Sequence, residues 1–97
     1  MKLNEINYRL SDILEALGNA IRLKIVILLE ESSRSVSSCA EELDKPIQTV
    51  SRHLKKLRDK NLLEAESKGP RRIYKLKRPE LIRAILDLRS LISREVE

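Results

Sequence analysis

Hydrophobic residues recur at helical spacing at both ends of the chain. Near the N-terminus they alternate steps of three and four, which predicts one amphipathic helix ending near Gly18. Its apolar stripe comprises Leu3, Ile6, Leu10, Ile13 and Leu17. Near the C-terminus Pro79 opens a last helix, whose stripe comprises Leu81, Ile85, Leu88 and Ile92. Each stripe is an apolar surface that needs something to pack against.

Two further helices are predicted in the first half of the chain. The segment "AIRLKIVILLEE" is apolar on nearly all sides, which is typical of a central core helix, and Asn19 can cap its start. After the polar segment "SSRS", Val36 is expected to form a brief strand. Ser37 or Ser38 can then cap a short helix that continues through Leu43, with a capping box if Ser38 is the cap.

A longer fourth helix is predicted from about Pro46 to about Lys60, because proline is favoured in the first turn of a helix. Its apolar face comprises Ile47, Val50, Leu54 and Leu57. Another face comprises Gln48, Ser51, Arg52 and Lys55, with Thr49 and Lys56 at its edges. We expect the first face to pack on the core, and the second, which carries hydrogen-bond donors and no acid, to face a partner.

Beyond Asn61 the pattern changes to that of a β-hairpin. The segments "LLEAES" and "RRIYKLK" are predicted strands, and Gly69 and Pro70 mark the turn between them. Tyr74 is expected to anchor the second strand. The hairpin tip carries Lys68, Arg71 and Arg72.

These elements predict a mostly α fold of five helices with a small β-hairpin wing, that is, a winged helix-turn-helix. Ninety-seven residues with 41% hydrophobic content suit one small domain spanning residues 1–97. Its helix-turn-helix would occupy residues 37–60 and its wing residues 61–78. A domain this small can hardly cover both terminal stripes by itself, so residues 1–17 and 79–97 are predicted to dimerise the chain.

Charge is distributed very unevenly along the sequence. Residues 45–78 hold twelve Lys and Arg against three acidic residues, a local net charge of +9, whereas the rest of the chain has a net charge of −4. A basic run can be an ordinary solvated surface. Here the positive residues converge on a helix, turn, helix and hairpin in that order, which favours double-stranded DNA as the partner.

The basic region divides into two predicted kinds of DNA contact. Polar side chains and one arginine on the outward face of the fourth helix are suited to base edges in the major groove; these are Gln48, Thr49, Ser51 and Arg52. The surrounding cations are suited to phosphates or the minor groove; these are Lys55, Lys56, Lys68, Arg71 and Arg72.

Two other binding functions remain open at this stage. The winged helix could serve as a protein-interaction module, or the chain could coat DNA without sequence preference. A nonspecific coater needs only cations, so the polar residues of the fourth helix argue against it.

The chain lacks the residues expected of an enzyme, of a single-strand-binding protein and of a membrane protein. No nucleophile, base and orienting group stand in a plausible constellation, so an enzyme is not expected, and no cofactor is predicted. Two tyrosines offer no stacking platform for single-stranded nucleic acid. The longest apolar run, Ile25 to Leu29, is too short to span a bilayer. One cysteine and no signal segment predict a cytoplasmic protein without disulfides or a membrane partner.

Four segments together resemble the ArsR-type winged-helix transcriptional repressors: "LGNAIRLKIVILL", "SVSSCAEEL", "TVSRHLKKLRDKNLL" and "GPRRIYKL". The resemblance implies a homodimeric DNA-binding repressor whose terminal helices pair the subunits. The chain departs from the family pattern at Asp44, Lys45 and Pro46, where the family more often has Gly, an apolar residue and Ser.

The resemblance also raises the question of metal sensing. The best-known metal site of such proteins has two cysteines one residue apart just before the third helix, where this chain has Ser35 and Ser37. The C-terminal helix has no histidine for the alternative site between subunits. The lone Cys39 and His53 cannot supply the ligands of a transition metal. Cys39 is instead expected in the core and His53 against the preceding helix, so no metal partner is predicted.

Overall fold

The computed structural model describes residues 2–96. It contains nine elements in the order α1 Leu3–Leu17, α2 Ala20–Glu31, β1 Arg34–Ser35, α3 Val36–Leu43, α4 Ile47–Asp59, β2 Leu63–Lys68, β3 Arg71–Leu76, α5 Pro79–Leu86 and α6 Leu88–Val96. Helices α3 and α4 form the helix-turn-helix, and β2 and β3 form the wing. The predicted winged helix-turn-helix fold is therefore confirmed.

The predicted C-terminal helix is present in two segments, α5 and α6. Asp87 between them keeps a right-handed helical backbone, with φ −62° and ψ −20°, so the interruption is local. The two segments differ in what they pack against. Ile82 and Leu86 of α5 are buried in the core, whereas α6 has no buried residue.

Helix α2 is the centre of the core, as its apolar sequence predicts. The side chain of Asn19 caps it by accepting hydrogen bonds from the backbone N–H groups of Ile21 and Arg22, at 2.9 and 3.0 Å. Because its buried residues include Ile25 and Val26, α2 can contact α1, α3, α4 and α5 on different sides. Helices α1, α3, α4 and α5 are thus arranged around α2.

The start of α3 differs from the sequence prediction. The strand lies at Arg34–Ser35 rather than around Val36, and the helix cap is Ser35 rather than Ser37 or Ser38. The Ser35 hydroxyl accepts a hydrogen bond from the Ser38 N–H at 3.1 Å. Ser35 has an extended backbone, which allows it to pair with β3 and to cap the helix that follows.

The turn between α3 and α4 contains Asp44 in the left-handed conformation, with φ 53° and ψ 50°. Glycine commonly occupies such a position, and aspartate is among the few other residues that tolerate it. The next residue, Lys45, donates its backbone N–H to the Ala40 carbonyl at 3.1 Å. Asp44 therefore closes the turn in a conformation that glycine more commonly adopts.

The wing belongs to a three-stranded antiparallel sheet in the order β1-β3-β2. Leu63 pairs with Leu76 at its base and Lys68 with Arg71 at its tip, where Gly69 takes a φ of 62°. Tyr74 is buried in β3, which confirms its predicted anchoring role. Strand β1 pairs with the other edge of β3, so the wing is held to the core on that side.

The two terminal helices leave much of their apolar surface exposed. Ile13, predicted to lie at the subunit interface, is only 4% exposed and belongs to the chain's own core, because it faces inward from α1. Leu81 and Ile85 are partly buried against that core. The exposed apolar residues of α1 and α6, here called the terminal surface, are Leu3, Ile6, Leu10, Leu14, Leu88, Leu91, Ile92 and Val96. No helix within residues 2–96 has the length and apolarity needed to cross a membrane.

Candidate nucleic-acid interface

The recognition helix α4 is oriented by its apolar face. Val50, Leu54 and Leu57 are fully buried, and the helix packs against α2, α3 and β2. Ile47, predicted to lie on the same face, is instead 53% exposed, because it is the first residue of the helix and extends past the core. The helix is thus anchored from Val50 onward, while Ile47 and Gln48 at its start keep exposed side chains.

The predicted base-contacting residues lie on the outward side of α4. Gln48, Ser51 and Arg52 are exposed, and Thr49 is half-buried at the edge of the face. Among residues 2–96 none of the four side chains has a hydrogen-bond or ion-pair partner. Their hydrogen-bonding groups are free to meet a ligand.

The two lysines beside this face are already engaged in ion pairs. Lys55 Nζ lies 2.9 Å from Asp59 Oδ2 within α4, and Lys56 Nζ lies 3.3 Å from Glu15 Oε1 of α1. Exposed pairs of this kind contribute about 0 to 1 kcal/mol. A phosphate group can therefore displace either carboxylate at little cost.

A cluster of charged residues, not foreseen from the sequence, ties the C-terminal end of α4 to α1. Lys60 Nζ lies 2.7 Å from Asp12 Oδ1, and Arg9 donates a hydrogen bond to the Lys60 carbonyl at 3.1 Å. The hydrogen bond from Lys60 lowers the pKa of the Asp12 carboxyl and raises the pKa of Lys60 itself. These contacts join α4 to a helix that carries the terminal surface.

The wing tip places three predicted cations together. Lys68, Arg71 and Arg72 are exposed, and Lys68 pairs directly with Arg71 across the hairpin. The Arg72 guanidinium lies 5.8 Å from the centre of the Tyr74 ring, a cation–π distance, while Lys68 lies 3.8 Å from Glu66. Like charges opposite each other repel, so an anion bound at the tip would offset the repulsion between Lys68 and Arg71.

His53 contacts α2. The sequence analysis predicted that it would pack against the helix preceding α4. Arg22 is 9% exposed, donates from Nε to the Ala16 carbonyl at 2.6 Å, and lies 3.2 Å from His53 Nδ1. Since arginine only donates, Nδ1 must accept and the imidazole is neutral with its proton on Nε2. The sequence does contain a signal for this contact. Arg22 is one of two cations before the acidic end of an otherwise apolar helix, and a buried cation needs a hydrogen-bond acceptor.

Burial lowers the pKa of His53 below its ordinary value of 6.5, and the positive charges of Arg22, Arg52 and Lys56 lower it further. Protonation would remove the acceptor and place two cations face to face. Cys39 is fully buried in the core, as predicted, and this burial raises the pKa of its thiol. In neither case is the charged form favoured.

We expect the stability of the protein to fall in mild acid through His53. Because its folded pKa lies below the unfolded value of 6.5, its contribution is complete above that pH and decreases as the pH falls through it. The contribution is fully lost once the pH is below the folded pKa. Urea unfolding from about pH 7.5 to about pH 5 measures this loss. His53→Gln keeps an acceptor without the titration, so the variant should lose less stability; equal losses would contradict the assignment.

Comparisons with known proteins agree with this geometry. The model of the bacterial regulatory proteins of the arsR family matches residues 19–65. An uncharacterised HTH-type transcriptional regulator from Methanocaldococcus jannaschii is 39% identical over 67 residues, which cover 65% of this chain and 70% of that protein. The HTH-type transcriptional repressor SmtB from Mycobacterium tuberculosis is 34% identical over 76 residues, 78% of this chain but only 56% of that protein.

A solved structure with the same architecture is the homodimeric winged helix-turn-helix DNA-binding domain, fragment 1–100, from Mycobacterium bovis. It matches with a TM-score of 0.86 and 24% identity, covering 97% of this chain and 87% of that domain. The matched regions include the helix-turn-helix described above. This chain therefore belongs to the ArsR family of winged helix-turn-helix transcriptional regulators, whose fold and function are those of DNA-binding regulators and not of enzymes.

Proposed function

We propose that this chain acts in the cytoplasm as a sequence-specific repressor that binds double-stranded DNA as a homodimer. The observation that carries the proposal is the outward face of α4, whose exposed Gln48, Ser51 and Arg52 have no partner within residues 2–96. A helix that presents free polar side chains on its outward side is suited to the major groove.

The basic residues around α4 complement its polar face. Lys55 and Lys56 flank it, and the wing tip adds Lys68, Arg71 and Arg72. Phosphate contacts fix the register of a protein on the duplex, and base contacts supply the sequence preference. A nonspecific coater would not require the uncharged donors of α4. Repression is the direction proposed because the relative SmtB is named a repressor.

The two kinds of contact should fail differently when removed. Arg52→Ala should weaken binding to the preferred duplex by about 1 to 3 kcal/mol while largely sparing random duplex, because a guanidinium can donate two parallel bonds to guanine. Arg71→Ala with Arg72→Ala should weaken both duplexes alike and flatten the dependence of log affinity on log salt by nearly two units.

Titration of both variants against specific and random duplex at several salt concentrations makes this comparison. The double wing variant serves as the control for loss of charge in Arg52→Ala. If Arg52→Ala weakens binding to both duplexes equally, Arg52 contacts a DNA phosphate. The base contacts would then be made by Gln48, Thr49 and Ser51.

The terminal surface supports a homodimer. On α1 it exposes Leu3, Ile6 and Leu10, and α6 buries nothing within its own chain. Many exposed apolar side chains concentrated on two helices are more often covered by a partner in solution than single scattered ones are. Pairing two copies would present two recognition helices to an inverted repeat with half-sites roughly 34 to 36 Å apart, or a multiple of that distance.

Leu88→Asp with Ile92→Asp should convert the dimer to a monomer, because both side chains are exposed in the single chain and carboxylates cannot be buried unpaired. Molar mass in solution is the measurement. Ser32→Asp with Ser33→Asp adds the same charge at exposed positions outside the terminal surface and should leave the mass unchanged. A wild-type chain that is monomeric at micromolar concentration would overturn the dimer.

We further propose that DNA binding is independent of metal and of thiol oxidation. The Ser35 hydroxyl is committed to capping α3, and the Arg34 guanidinium donates to the Ser38 hydroxyl at 3.2 Å. A neutral oxygen and a neighbouring cation form a poor site for a transition metal. Cys39 has no exposed surface through which an oxidant could reach it.

Affinity for the preferred duplex should therefore be the same with a chelator, with added zinc and with mild peroxide. Titrations under these three conditions, compared with untreated protein, provide the check. A reproducible change with zinc or chelator would show that a metal binds to residues outside this reasoning. A change with peroxide would show that Cys39 becomes accessible.

A further inference from the structure

Ile47 has a position that the core does not explain. It is 53% exposed, whereas Val50, Leu54 and Leu57, the other apolar residues of α4, are fully buried. Exposure of half an isoleucine side chain forgoes part of the stabilisation that burial would give. The packing of the domain therefore does not require an apolar residue at this position.

Ile47 is also separate from the terminal surface. Within residues 2–96, the other exposed large hydrophobic side chains all belong to α1 or α6; they are Leu3, Ile6, Tyr8, Leu10, Leu14, Leu88, Leu91, Ile92 and Val96. Ile47 alone lies on the recognition helix. A subunit interface built from the terminal helices accordingly leaves it uncovered.

The location of Ile47 matches the part of a recognition helix that meets base edges. It is the first residue of α4, next to Gln48 and one turn before Ser51 on the same side of the helix. Side chains of a helix tilt toward its N-terminus, and the N-terminal residues of a recognition helix are those that contact bases. Ile47 is thus at the leading end of the proposed DNA-binding face.

An apolar side chain in the major groove has one matching group on the base edges, the C5-methyl group of thymine. We infer that Ile47 is a specificity-determining residue that contacts a thymine methyl in each half-site. The inference rests on the proposed sequence-specific binding of duplex DNA. It adds a contact to the hydrogen-bonding residues, and it predicts which base this contact favours.

The test uses full-length protein and duplexes selected from a random pool. In the preferred half-site each thymine is replaced in turn by deoxyuridine, which lacks only the C5-methyl group and keeps the same hydrogen bonds. At one position this replacement should weaken wild-type binding about fourfold, the factor expected for burial of one methyl-sized group. Ile47→Ser should bind the two duplexes equally, and Ile47→Val should retain the preference for thymine.

Thermal unfolding of each variant shows that the effect is one of contact and not of folding, since a half-exposed residue should change the melting temperature little. Tyr8→Ala, an exposed aromatic on α1, is the matched control and should keep the full thymine preference. A selected half-site without thymine, equal wild-type binding at every position, or an unchanged preference in Ile47→Ser would each overturn the inference alone. Failure of the wild type to prefer any duplex over random DNA would overturn the proposed function, and the inference with it.

Discussion

The packing of α4 on the core determines which of its residues are available to a partner. Val50, Leu54 and Leu57 lie on one face and have no exposed surface. Burial of such side chains is worth about 1.5 to 3 kcal/mol each, so rotating α4 by even a third of a turn would be strongly unfavourable. The polar outward face is therefore fixed by the apolar inward face, and DNA recognition depends on core packing.

Polar contacts refine this arrangement at the middle and at the C-terminal end of α4. His53 accepts from the buried Arg22 of α2, while Lys60 at the C-terminal end of the helix pairs with Asp12 of α1. The first contact joins the recognition helix to the central core helix, and the second joins it to a helix that carries the terminal surface. A shift of α1 would therefore act on α4 through this ion pair as well as through the core.

The proposed DNA-binding surface combines parts with different mechanical properties. Helix α4 is held by fully buried side chains, whereas the wing tip consists of exposed residues, with Arg72 at a cation–π distance from Tyr74 and Lys68 near Glu66. Base contacts need fixed geometry, and phosphate contacts tolerate variation because charge attraction depends weakly on angle. The more firmly packed element thus carries the proposed base-contacting residues, and the exposed hairpin carries the cations proposed to contact phosphates.

The sequence by itself determined the elements, their order and the separation of polar from apolar faces, because helical spacing and turn residues are local signals. It also located Gln48, Ser51 and Arg52 on an exposed face, where the structure has them. It could not determine which stripe residues the chain buries for itself. Only the tertiary structure showed Ile13 inside and Ile47 outside, since periodicity gives a residue's direction around its helix but not where the neighbouring helices end. The contact between Arg22 and His53 likewise joins residues 31 positions apart, and such pairs form only when the helices pack.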